Sequence, residues 1–133
     1  MAVKIKKDIQ DKIIKHAQEE APIEACGYLA SQDGVIVRHY EMKNIDQSLE
    51  HFSFDPKDQF FVVRDARAQG LEISAVYHSH PASPARPSAE DIRLAYDPSL
   101  SYVIVSLAGG RRDVKSFRIV RSNAAAEEME IVD

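Results

Sequence analysis

Apolar and polar positions change period several times along the chain, and each change marks an element. Val3 to Lys6 alternates apolar and basic side chains, the two-residue period of a short strand. Asp8 then caps a helix whose positions Ile9, Ile13, Ala17 and Ala21 recur every four residues, and Pro22 ends it. From Ala21 to Gln32 the chain is nearly uncharged. Read as a buried strand, this run places Glu24, Cys26 and Tyr28 on one face and Ile23, Ala25 and Leu29 on the other. Asp33-Gly34 predicts a hairpin turn into a second strand, Val35 to Met42.

Lys43 to Glu50 reads as a polar loop. Asp55-Pro56 opens a helix with cap first and proline at the first helical position, and Gly70 closes it. Phe60, Phe61, Val62 and Val63 are expected on its buried side. Glu72 to His80 returns to the strand period, with Ser74, Val76, His78 and His80 on one face; both faces are mostly apolar, as in a strand covered on each side. Pro81, Pro84 and Pro87 stiffen the next loop, because each fixes its own φ and disfavours helix at the residue before it. Ser88 begins a helix through Tyr96. Tyr102 to Leu107 and Val114 to Val120 are strands joined through Gly109-Gly110, and Met129 to Val132 is an edge strand in the acidic tail. The order predicts an α/β (α+β) fold, a mixed central β-sheet flanked by helices, as one domain over residues 1–133.

Charge and cysteine content narrow the classes. With 17 Lys and Arg against 21 Asp and Glu, the net charge is -4 and the bases are scattered, so nucleic acid is not an expected partner. A single cysteine, Cys26, excludes an internal disulfide and a Cys-rich zinc framework and fits a reducing cytoplasm. No run approaches the roughly 20 apolar residues of a membrane span, and the N-terminus is unlike a signal peptide. A cytoplasmic protein without a membrane partner is expected; its oligomeric state is not legible.

Candidate chemistry concentrates between Tyr77 and Asp91. In Tyr77-His78-Ser79-His80-Pro81 two histidines one residue apart point the same way on extended backbone, and Asp91 offers a hard oxygen from the next element. Two His and one Asp fill three positions of a tetrahedral zinc shell, leaving open the fourth that catalytic sites keep. Ser88-Ala89-Glu90-Asp91 also reads as a helix capping box, compatible with Asp91 reaching a metal. Glu24 is the only ionisable acid in its apolar run and is a candidate general base and acid. Cys26, between Ala and Gly, is expected to be a small core residue. His16, His39 and His51 are expected at the surface and carry no assigned role.

The combination of Glu24, His78-Ser79-His80-Pro81, Pro87-Ser88 and Asp91, with ten residues between His80 and Asp91, resembles the JAMM (MPN+, Mov34/MPN/PAD-1) metalloprotease motif. The context Pro-Ile-Glu-Ala-Cys-Gly-Tyr-Leu, the opening Phe54-Asp55-Pro56 and the strand Tyr102 to Leu107 resemble short bacterial standalone members. The resemblance implies a fold similar to cytidine deaminases, one Zn2+ per chain held by His78, His80 and Asp91, Glu24 as general base toward the hydrolytic water, and Ser88 as an oxyanion-holding hydroxyl. It also implies hydrolysis of a peptide or isopeptide bond, with the C-terminus of a ubiquitin-like, sulfur-carrier protein as the preferred substrate. The chain is short for the insertions with which deubiquitinating members grip ubiquitin chains. A zinc deaminase would need His-x-Glu and a later Pro-Cys-x-x-Cys, which are absent. A non-catalytic MPN-type scaffold, and a DNA-repair-associated relative sharing the His-x-His and Asp pattern, are the remaining alternatives.

Overall fold

A computed structural model describes residues 2–133. In chain order the elements are β1 (Val3–Lys6), α1 (Lys7–Glu20), β2 (Cys26–Gln32), β3 (Val35–Met42), α2 (Pro56–Ala68), β4 (Glu72–His80), α3 (Ala89–Arg93), β5 (Ser101–Ser106), β6 (Asp113–Val120), β7 (Asn123–Glu127) and β8 (Met129–Val132). The strands form one mixed sheet in the order β7-β6-β5-β4-β2-β3-β1-β8. β4 lies inside it, antiparallel to β2 and parallel to β5, which is why its residues are apolar on both faces.

Each face of the sheet is covered by a helix. On one, Ile9, Ile13 and Ala17 of α1 pack against Leu29, Ala75, Tyr77, Val103 and Val105. On the other, Val62 and Ala66 of α2 cover Cys26, Ala30, Tyr40 and Met42, so Cys26 is the small core residue its neighbours predict. A third cluster, Ala85, Ile104, Phe117 and Ile119, is joined by Ile92 of α3. Asp33 and Gly34 both have positive φ, the conformation that a tight two-residue hairpin requires.

Several expectations are corrected. Phe60, Phe61 and Val63 are exposed, at 66%, 64% and 39%. Four consecutive helical residues cannot share one face, and the buried stripe runs through Val62 and Ala66, four apart. His16 is buried rather than at the surface, its Nδ1 2.8 Å from the Tyr77 hydroxyl beneath α1. β2 begins only at Cys26, and Asp8 lies in the first turn of α1 rather than at its cap, which is Lys6. The helix expected from Ser88 through Tyr96 stops at Arg93. One turn is too short to sustain itself by helical hydrogen bonding, and α3 is held by its cap. β7 was not expected, because Asn-Ala-Ala-Ala-Glu lacks the β-branched and aromatic residues that mark strands.

Gly27 shows how tightly β2 and β4 pack. A Cβ there would overlap the Tyr40 carbonyl oxygen and the Tyr77 ring, both immobile in the sheet. Gly27→Ala is expected to cost about 3 kcal/mol through forced displacement in a packed core, read as a lower urea midpoint at unchanged m-value.

Candidate metal centre

β4 and α3 bring three of the motif residues together. His78 and His80, two apart on an extended strand, project to the same face, and their Nε2 atoms are 3.1 Å apart. Asp91 Oδ2 lies 3.1 Å from each of them. Tetrahedral zinc with bonds of about 2.0–2.1 Å has ligand separations of about 3.3 Å, so this triangle is nearly the face of such a shell. The sequence dictates the geometry locally. Ser88 Oγ accepts from the Asp91 N–H at 3.0 Å, and Asp91 Oδ2 accepts from the Ser88 N–H at 2.9 Å. The capping box thereby locks the Asp91 carboxylate over the end of β4.

The histidines are oriented as well. His80 Nδ1 donates to the Pro84 carbonyl oxygen at 2.8 Å, which leaves the lone pair of a neutral ring on Nε2, facing the triangle. The proline loop thus has a defined task, to present that carbonyl. The His78 ring stacks on Phe52, 4.8 Å between centroids and 28° between planes. Both histidines are buried. Burial opposes protonation of His80, but hydrogen bonds with Asp91 and Pro84 prevail and raise its pKa. Burial likewise pushes Asp91 upward, yet bonds to His78 and His80 hold its carboxyl far below the usual range. Three donor atoms focused on one point fit a divalent ion.

Glu24 joins the site from the stretch just before β2. Cys26 pairs with His78, Ser79 N donates to Ala25 O at 2.9 Å, and one further antiparallel step sets Glu24 opposite His80. The Ala25 N–H donates to Ser79 Oγ at 2.7 Å, so the residue between the two histidines also pins the backbone beside Glu24. Glu24 is 3% exposed and its Oε1 has no hydrogen-bond partner, a costly arrangement for a carboxylate. Burial is the main cause that pushes its pKa up to about 8, against the pull of His80.

A pH-dependent stability follows for the metal-free protein. A carboxyl with raised folded pKa contributes stability that is fully present below the unfolded value and lost as pH rises through the folded one. For Glu24 that window runs from 4.5 to about 8, and the raised His80 acts in the same direction. Asp91 acts oppositely, but only in acid below its unfolded value of 3.8. The urea midpoint of metal-free protein is expected to fall between about pH 5 and 8, and Glu24→Gln to flatten that fall.

Beside the triangle lies an open groove of about 460 Å³. Tyr28, Val76 and Tyr102, neighbours across β2, β4 and β5, form its floor. Phe52, Phe54, Gln59, Leu94 and Tyr96 also line it, together with His78 and Asp91 of the triangle. Sequence reasoning missed this aromatic lining, and passed over His51, which lines the groove with Nδ1 3.1 Å from Asp46 Oδ2.

The chain is similar to several known proteins. Residues 6–120 match the family model described as prokaryotic homologs of the JAB domain. The chain is 33% identical to the CysO-cysteine peptidase of Mycobacterium tuberculosis over 132 residues, covering 97% of this chain and 90% of that protein. It is 31% identical to a desampylase of Haloferax volcanii over 109 residues, 77% of this chain and 78% of the relative. A protein of Desulfitobacterium hafniense, solved in solution, superposes with a TM-score of 0.89 at 44% identity, over 98% of this chain and 92% of that one.

Proposed function

The chain belongs to the prokaryotic JAB-domain family, and from that premise we propose that it is a zinc-dependent peptidase cleaving a peptide or isopeptide bond at the C-terminus of a ubiquitin-like, sulfur-carrier protein. The observation that carries this reading is the focused triangle of His78 Nε2, His80 Nε2 and Asp91 Oδ2 beside a buried carboxylate without a partner. These three residues would hold one zinc ion. When bound, zinc supplies Lewis acidity, which brings the pKa of water toward about 7 and offsets negative charge at a scissile carbonyl.

The chain's own groups supply the rest. Glu24, buried and unpartnered at Oε1, in its ionised form takes a proton from the attacking water and returns it to the leaving amine. Ser88 Oγ accepts from Asp91 N, so its own hydrogen stays free to donate to a carbonyl oxygen as charge develops there. The open groove, lined by aromatic rings, suits an extended C-terminal tail; a folded carrier body has no room in about 460 Å³. The names of the peptidase and desampylase relatives support a substrate of this class.

The direct test is incubation of zinc-loaded protein with ubiquitin-like carriers extended beyond their C-terminal glycines, followed by intact mass measurement. Release of the extension at the carrier C-terminus is the expected result. Intact substrates throughout the panel, with zinc at full occupancy, would favour the scaffold reading instead.

A further inference from the structure

Glu24 is held by groups outside the metal triangle. Its N–H donates to the Ser48 carbonyl oxygen at 2.9 Å, and its carbonyl oxygen accepts from Asn44 Nδ2 at 3.1 Å. Asn44 lies in the polar loop after β3, where sequence reasoning assigned nothing, yet it is only 4% exposed. Every hydrogen-bonding position of its amide is used. Nδ2 also donates to the His51 carbonyl oxygen at 3.0 Å, while Oδ1 accepts from the N–H groups of Asp46 at 3.1 Å and Ser53 at 3.3 Å. One amide thereby ties the main chain of Glu24 to both ends of the loop that delivers Phe52 onto His78. Among side chains of this length only an amide offers two donors and an acceptor together.

Resting on the reading of Glu24 as the general base, we propose that Asn44 is a positioning residue for the reaction: by clamping the Glu24 carbonyl to the 44–53 loop it sets where the Glu24 carboxylate stands relative to His78 and His80. It acts through Glu24 and belongs neither to the ligand set nor to the groove lining. A small misplacement of a reacting group is enough to slow chemistry by about 100-fold, whereas Asn44 itself touches neither the metal triangle nor the groove.

Two variants test this. Asn44→Asp retains an oxygen toward Asp46 and Ser53 but turns a second oxygen on the carbonyls of Glu24 and His51; Asn44→Ala removes all four bonds. Amide hydrogen exchange, zinc content, and kcat and KM on a C-terminally extended ubiquitin-like carrier are measured for each. The expected result is zinc binding as in the unsubstituted protein, selective loss of protection at the Glu24 amide with β5 unchanged, and kcat lower by about 10- to 100-fold at nearly constant KM. Retained protection at Glu24 with kcat within about twofold would overturn the proposal. So would loss of zinc, a rise in KM alone, or global unfolding of both variants, each of which makes Asn44 a general structural residue. If the unsubstituted protein cleaves no carrier, the peptidase reading fails by itself, and the exchange data still decide whether Asn44 holds Glu24.

Discussion

Glu24→Gln is expected to lower turnover by about 10²- to 10⁴-fold while zinc stays bound. Gln preserves the shape of the side chain and its fit in the buried site, but an amide cannot accept the proton of the attacking water. Glu24 is not one of the three atoms in the triangle, so the ligand set survives the change. The substitution also removes a buried carboxyl lacking a partner at Oε1, and the variant should be at least as stable as the parent at neutral pH. Single-turnover rates on an extended carrier, read beside elemental analysis of the same sample, separate the possibilities. Loss of zinc from the variant would make Glu24 a ligand or a structural group and end its assignment as base.

His78→Ala and Asp91→Ala are each expected to abolish zinc binding and, with it, activity. Two remaining donors hold a tetrahedral ion poorly, because each vacated position must be filled by water at the expense of an oriented protein ligand. The two variants should differ elsewhere. His78→Ala removes the ring stacked on Phe52 but leaves the capping box intact. Asp91→Ala also deletes the carboxylate that accepts from Ser88 N, so α3 should fray as well. Zinc should raise the Tm of the parent in a concentration-dependent manner, by the equivalent of about 2.7 kcal/mol at a hundredfold excess over Kd, and leave both variants unmoved. Metal-replete parent protein without zinc would remove the basis of the site altogether.

Much of the site was legible because its parts are local. His78, Ser79, His80 and the Ser88 to Asp91 cap declare their geometry through strand and helix periodicity alone, and the hairpin at Asp33-Gly34 does the same through its turn chemistry. Parts built by long-range contact were not legible. His16 reads as a surface residue on a polar helix until Tyr77, 61 positions away, is folded beneath it. Phe60 and Phe61 look like core until the helix chooses Val62 and Ala66 as its buried stripe. Asn44 looks like any loop residue until its amide meets the carbonyl of Glu24, 20 positions earlier.

By itself the sequence determined the strand-borne histidine pair, the capped aspartate, the isolated carboxylate in an apolar run and a mixed sheet with helices on both faces, since each depends on period, cap or turn within a few residues. Tertiary structure alone decided that Oδ2 of Asp91 closes a 3.1 Å triangle with the histidines, that the residues just before β2 set Glu24 opposite His80, and that His78 also lines an aromatic groove. The reason is physical. Periodicity specifies which way a side chain points from its own backbone, but separations between side chains on different elements are set by sheet register and by packing of the core between them.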